Sequence, residues 1–184
     1  MKTKTVQELM VPLSEYATVS IGATLQDAVV ALRATQVEKR DRKYLHRAVV
    51  VLDESGAVVG KISLLDALRS LEPKYDEMLG DNKSLRLGFT VKYQKLMIEQ
   101  LKLWDAPMEH ICEKAAKLTV ANFMTVPREE EFIESGATLD TAIHQLVLGH
   151  HQSLFVVENK AFVGILRLTD VFEVVADAVI ACEI

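Results

Sequence analysis

Two aspartates close matching seven-residue strings, Gly60-Lys61-Ile62-Ser63-Leu64-Leu65-Asp66 and Gly164-Ile165-Leu166-Arg167-Leu168-Thr169-Asp170. A carboxylate behind a Ser or Thr hydroxyl at the start of a helix can do two kinds of work. It can cap the helix, or it can accept two O–H hydrogen bonds from a cis-diol while the helix N-terminus favours an anion. The second string adds Arg167, which lies two residues before Thr169 and shares its side if the strand extends that far. A guanidinium there can grip phosphate through two hydrogen bonds. The first string offers Ser63 and Asp66 with Lys61 and Leu65 flanking, a weaker set for an anion.

The elements that must position these groups occur twice. Each string follows a β-rich run, Ala48 to Leu52 or Leu154 to Val157, and a polar turn, so each reads as a hairpin leading into a helix. Upstream, Gly22 to Ala28 matches Gly136 to Ala142, and Val6 to Met10 matches Val120 to Met124. Four segments in the same order define an internal duplication. The divisions expected are a first repeat over 1–75, a helical insert over 76–117 and a second repeat over 118–184.

Within the first repeat, Tyr16 to Ile21 reads as a short strand. Thr24 and Asp27 start a helix whose Leu25, Ala28, Val29 and Leu32 share a face. About nine extra residues follow, including the basic run Lys39 to Lys43, whose bland reading is a solvated insertion and whose functional reading is contact with phosphates or RNA. In the insert, Tyr93, Met97, Leu101, Trp104, Met108, Ile111 and Ala115 recur at helical spacing, with a break expected near Asp105 because of Pro107. That stripe reads as core or interface. The final helix, Val171 to Ile184, is apolar almost all round and asks for burial on two sides.

Several chemistries are set aside. Gly56 to Ser63 has the wrong spacing for a phosphate loop and lies in a hairpin. His144, His150 and His151 lack zinc-motif spacing, and His151 aligns with His46 at a strand entrance. Glu129-Glu130-Glu131 reads as a solvated loop, with no other carboxylates near it in sequence to make a metal site. Neither a nucleophile with a base nor a glycine-rich cofactor loop is present, so no enzymatic activity is expected.

The chain of 184 residues, 49% apolar, is long enough to bury a core. A net charge of −5 gives no general attraction to nucleic acid or acidic membranes. Cys112 and Cys182 form no motif, which fits a reducing compartment, and no run is long enough to span a bilayer. A cytoplasmic protein is expected.

With this order in place, the chain resembles a tandem pair of CBS (cystathionine β-synthase) domains, a Bateman module, over roughly residues 3 to 72 and 118 to 182. The motif Gly-h-h-[Ser/Thr]-x-[Ser/Thr]-Asp, with h apolar, appears as two degenerate copies: Leu65 replaces a hydroxyl in the first and Arg167 replaces one in the second. Val50 and Phe155 stand at positions where the family places proline. The resemblance implies an α+β fold of two β-α-β-β-α repeats about a pseudo-twofold, with clefts for AMP, ADP, ATP or S-adenosylmethionine. It further implies ligand contacts from Asp170, Thr169, Arg167 and Gly164 in one copy and from Asp66 and Ser63 in the other. The function expected is a regulatory module that binds an adenine nucleotide, forms a homodimer through helices and modulates an unidentified protein target. The alternative is a ligand-free dimerisation scaffold.

Overall fold

A computed structural model of the chain describes residues 4–38, 45–72, 74–75, 91–102 and 110–182. A 3-10 turn at Val6–Glu8 precedes β1 (Val11–Pro12), and a second at Leu13–Glu15 leads to β2 (Thr18–Ser20). Thr24 then accepts from Asp27 N and donates its own hydroxyl back to Asp27 Oδ2 at 2.7 Å, closing a reciprocal cap on α1 (Leu25–Glu38). The hairpin read from the sequence forms as β3 (Ala48–Leu52) and β4 (Val58–Ser63), followed by α2 (Leu64–Ser70). Gly56, at φ 82°, makes the turn between them with Asp53, whose carboxylate accepts from Ser55 and Ala57.

The insert contributes α3 (Val91–Leu101) and α4 (Ile111–Lys117), as its periodicity predicts. Helix α4 packs on α1, and Lys74 Nζ donates to the Leu101 carbonyl at 2.8 Å, tying α3 to the segment after α2. Trp104, the break near Asp105, Pro107 and the basic run Lys39 to Lys43 lie outside the described residues. The second repeat supplies β5 (Phe132–Glu134), α5 (Leu139–Leu148), β6 (Ser153–Glu158), β7 (Ala161–Arg167) and α6 (Leu168–Ile180). The β6–β7 turn uses Asn159 and Lys160, both at positive φ, 51° and 66°, the conformation a two-residue hairpin loop requires.

The strands form one sheet in the order β2-β3-β4 and another in the order β1-β7-β6-β5. In each, a parallel pair (β2 with β3, β5 with β6) sits beside an antiparallel hairpin, so both halves are β-α-β-β-α units of an α+β fold. Their leading segments are exchanged. Val11 and Pro12 of the first repeat pair with Ile165 and Gly164 of the second, while Thr125 exchanges both backbone hydrogen bonds with Lys61. Further out, Val6 N donates to Ala137 O and Val120 N donates to Ala23 O, the same bond with the repeats interchanged. Val6 is thereby fully buried in the core of the second repeat, and Val120 in that of the first. Burying a valine contributes about 1.5–3 kcal/mol, so each exchange anchors its segment firmly.

Each sheet covers its own helices with one face. The other faces meet in a third layer containing Val11, Tyr16, Val50 and Ile165, with Leu13, Leu52, Val58 and Phe162 around them.

Candidate functional site

The two aspartates occupy equivalent positions and make different bonds. In the first repeat Ser63 is the N-cap of α2 and Asp66 its third helical residue. Ser63 Oγ and N donate to Asp66 Oδ2 at 2.7 and 2.8 Å, and Asp66 N donates to Ser63 Oγ at 3.1 Å. This reciprocal box satisfies otherwise orphaned helix donors. The cap is thus Ser63, with Asp66 three residues on, rather than the aspartate alone.

In the second repeat Arg167 takes the place of Ser63, and α6 begins without a side-chain cap bond. Arg167 instead turns back on its own helix: Nε donates to Asp170 Oδ2 at 2.6 Å and a terminal nitrogen donates to Oδ1 at 2.5 Å. The pair is largely withdrawn from water, with side chains 12% and 18% exposed. Burial disfavours the charged guanidinium, yet Asp170 outweighs it and holds the Arg167 pKa above its ordinary value. Thr169 is half-buried on the first turn of α6.

Tyr16 of the first repeat stands behind this pair. It is buried, its phenol feels both Arg167 and Asp170 electrostatically, and its ring meets that of His46 edge-on at 4.4 Å between centroids. Burial pushes the Tyr16 pKa well above the usual phenol range, with Arg167 working against and Asp170 with the shift. His46, read as a residue of the strand entrance, is fully buried; His151, its repeat equivalent, is half-buried.

Gly164 has a structural duty. A Cβ at this position would lie 2.5 Å from the Val11 carbonyl oxygen, so the glycine lets β1 seat on β7. Gly60 does the same more loosely beneath Met124 and Thr125, where the nearest atom is the thioether sulfur at 2.8 Å.

Glu129 and Glu130 are exposed, as the reading of a solvated loop expects, but Glu131 departs from it. Glu129–Glu131 is a 3-10 turn in which Glu131 is buried, 8% exposed. Lys61 Nζ reaches from β4 to Glu131 Oε1 at 2.9 Å and to Ser153 Oγ at 3.4 Å, and sits 4.7 Å from the Phe155 ring centroid. Burial raises the Glu131 pKa, but the bond and charge from Lys61, the Arg128 N–H and the His151 ring together hold it below the ordinary value. Ser153 is the register partner of Arg167 on β6, so Lys61 lies close to the Arg167–Asp170 pair on the layer between the sheets. One signal in the sequence pointed here: Lys61 fills the strand position that Ile165 fills in the other copy.

A gap of about 270 Å³ opens elsewhere, between α1, α2 and the helix-facing side of β3 and β4, where Leu32, Val49, Ile62 and Leu64 line it. Its walls are mostly apolar and it faces away from the layer between the sheets, so it is not a continuation of the Asp170 site. Among the described residues no group of three or more His, Cys, Asp or Glu is placed to hold a metal ion, and no helix is long and apolar enough to cross a membrane.

Two β-α-β-β-α halves with exchanged leading segments and facing sheets define a tandem-repeat α+β pair. The CBS domain family model matches residues 6–73 and 120–177, more than half of the chain, and the protein belongs to that family. Solved structures share the fold. A CBS domain-containing protein of unknown function from Bacillus anthracis str. Ames Ancestor is 18% identical with a TM-score of 0.60, covering 96% of this chain and 95% of that one. CBSX2, solved in complex with AMP, is 20% identical with a TM-score of 0.57, covering 94% and 97%. The CBS domain of the bacterial CNNM/CorC family Mg2+ transporter is 21% identical with a TM-score of 0.56, covering 94% and 74%. No curated protein matches the chain.

Proposed function

We propose that this chain is a non-catalytic sensing module that takes an adenosine-containing nucleotide of the AMP, ADP or ATP class between its repeats and changes its association with a partner protein as the site fills. The observation that carries the reading is the Arg167–Asp170 pair at the start of α6, a carboxylate for a ribose diol and a forked cation for phosphate on one turn of helix. The AMP held by CBSX2, a protein of this fold, supports the ligand class. A cation at this position disfavours S-adenosylmethionine, whose sulfonium is itself positive. The two cysteines, free and exposed, suit the cytoplasmic setting that belongs to this reading.

A specific observation favours the second reading, a ligand-free homodimeric scaffold. Asp66 and Ser63 are already committed to each other, and Leu65, Leu68, Phe172, Val179 and Ile180 leave large apolar surface on α2 and α6 exposed. Thermal melting with AMP, ADP, ATP and S-adenosylmethionine separates the two. A ligand at about 100 times its Kd adds about 2.7 kcal/mol, a shift of several degrees at this size. The sensing reading expects the nucleotides to raise the Tm and S-adenosylmethionine to leave it alone. A flat panel favours the scaffold.

A further inference from the structure

We propose that the first repeat carries a second kind of site, on the face turned away from the layer between the sheets. The gap between α1 and α2 takes the tail of a small aliphatic monocarboxylate, and Arg33 at its mouth holds the acid group. The site stands apart from the Arg167–Asp170 pair, neither of whose residues borders the gap.

The second repeat supplies the reference, because the equivalent positions close there. Leu146 of α5 and Val171 of α6 are buried, with Ile143, Leu168 and Val174 packed against the same cluster. In the first repeat Leu32 stands for Leu146 and is only half-buried, and Ala67 stands for Val171. Val29 and Leu64, the counterparts of Ile143 and Leu168, are 46% and 45% exposed. Ala67 lacks the terminal methyls of a valine and Val29 the terminal methyl of an isoleucine, and a fold relaxes only partly around such missing groups. Space of about 270 Å³ stays open between the two helices and the sheet.

The walls select an alkyl chain. Val49 and Ile62 make the floor, and the neutral polar groups on the border are already engaged: Gln36 Nε2 donates to the His46 carbonyl at 2.8 Å, and Ser63 is closed in its box with Asp66. Water entering here finds few partners, and an apolar cavity of about 150 Å³ already admits a benzene ring. The floor is also recessed, with Val49 and Ile62 only 2% and 3% exposed against the open mouth at Val29 and Leu64. A gap that narrows inward takes a slender chain end-on, whereas a helix from another protein would rest on the mouth and leave the floor unfilled.

Arg33 selects the head group. Its counterpart in the second repeat is Val147, so the cation belongs to the open copy alone. Its guanidinium is exposed on the border of the gap and donates to Gln36 Oε1 over a long 3.4 Å, a contact that a carboxylate matching the donor fork improves on. One cation balances one negative charge, which suits a monocarboxylate better than a phosphate group carrying nearly two.

Calorimetric titration of the full chain with octanoate, hexanoate and octylammonium tests this on the wild type, Arg33→Gln and Ala67→Val. Octanoate is expected to saturate one site per chain, and hexanoate to bind up to about 16-fold more weakly for its two missing methylenes. Octylammonium, with the same tail and the wrong charge, should not bind measurably. Arg33→Gln should weaken octanoate about 2- to 5-fold, the range of an exposed ion pair. Ala67→Val, which restores the residue of the closed repeat, should weaken it about 5-fold or more by overfilling the gap, and should itself melt higher without ligand. The proposal is overturned if octanoate fails to saturate, if octylammonium binds as well as octanoate, or if Ala67→Val binds octanoate as the wild type does. Sedimentation of the same proteins covers the rival occupant: a wild-type dimer that Ala67→Val dissociates would assign the gap to a second copy and overturn the proposal too. Should Ala67→Val fail to fold, Val29→Ile, the other restoring change, makes the same comparison. None of these outcomes touches the nucleotide reading, whose Arg167 and Asp170 lie in the other repeat.

Discussion

Lys61 on β4 and Glu131, 70 residues further along the chain, meet with Nζ 2.9 Å from Oε1 in a layer that is otherwise largely apolar. Their repeat equivalents are Ile165 and Ala17, both buried and uncharged. One side of the pseudo-twofold thus carries an ion pair where the equivalent positions on the other are uncharged. Either first-repeat sheet facing a copy of itself, or second facing second, would strand one of these charges. Lys61→Ile should cost about 3 kcal/mol by leaving Glu131 buried without its cation, and Lys61→Ile with Glu131→Ala should recover most of that loss. Urea titration of the three variants measures the coupling.

The same pair sets an acid limit. The Glu131 pKa is held below its unfolded value, so its contribution is fully present above the ordinary glutamate range and is lost as pH falls through the lower folded value. Wild-type stability should therefore decline more steeply below about pH 4 than that of the double variant. Parallel pH–Tm curves for the two would contradict this.

Tyr16 predicts the opposite edge. Its folded pKa is raised, so the unfolded chain gives up this proton first and stability falls as pH climbs past about 10. Ultraviolet titration should find the Tyr16 phenol silent until the protein unfolds. Tyr16→Phe should flatten the alkaline limb.

Gly164→Ala tests whether that glycine serves the fold. The added methyl would meet the Val11 carbonyl, a backbone atom with nowhere to retreat, and should cost about 2–3 kcal/mol by unseating β1. Gly60→Ala faces a flexible methionine side chain first and should cost less, while Gly22→Ala, with nothing within 4 Å, should be near neutral. Melting temperatures in that order, without ligand, are the expected result.

The aspartates should separate two roles. Asp66→Ala is expected to lose about 1 kcal/mol of stability, as a broken helix cap does, and little nucleotide affinity. Asp170→Ala should lose most of the affinity, about 1.5–3 kcal/mol. It should also lose stability through the broken Arg167–Asp170 ion pair. Equal affinity losses in the two variants would remove the asymmetry between the clefts.

The duplication, the hairpins, the capped start of α1 and the helices of the insert were legible, because each rests on local spacing or on turn chemistry such as Thr24 with Asp27. What escaped reading is what joins distant residues. Glu131 looks like any member of an acidic run until Lys61 is brought to it across the sheets. Gly164 looks like a motif glycine until Val11 lies on it. The extent of the last helix was also read generously: α6 ends at Ile180, with Phe172 and Val179 exposed and Val175 half-buried. Phe172→Asp is therefore a better probe of helix-mediated assembly than a change at Val175, where lost packing would be mixed with lost association.

The exchanged leading segments bear on how the chain loses its structure. Neither repeat owns a complete core: the first lacks its floor until Val120 arrives, and the second until Val6 does. The pairing of Val11 with Ile165 closes a loop of nearly the whole chain, an entropic cost met late and only once β7 exists. Two units that each hold a piece of the other cannot melt in turn. Despite its duplicated sequence the chain should unfold in one cooperative step, with calorimetric and van't Hoff enthalpies in agreement.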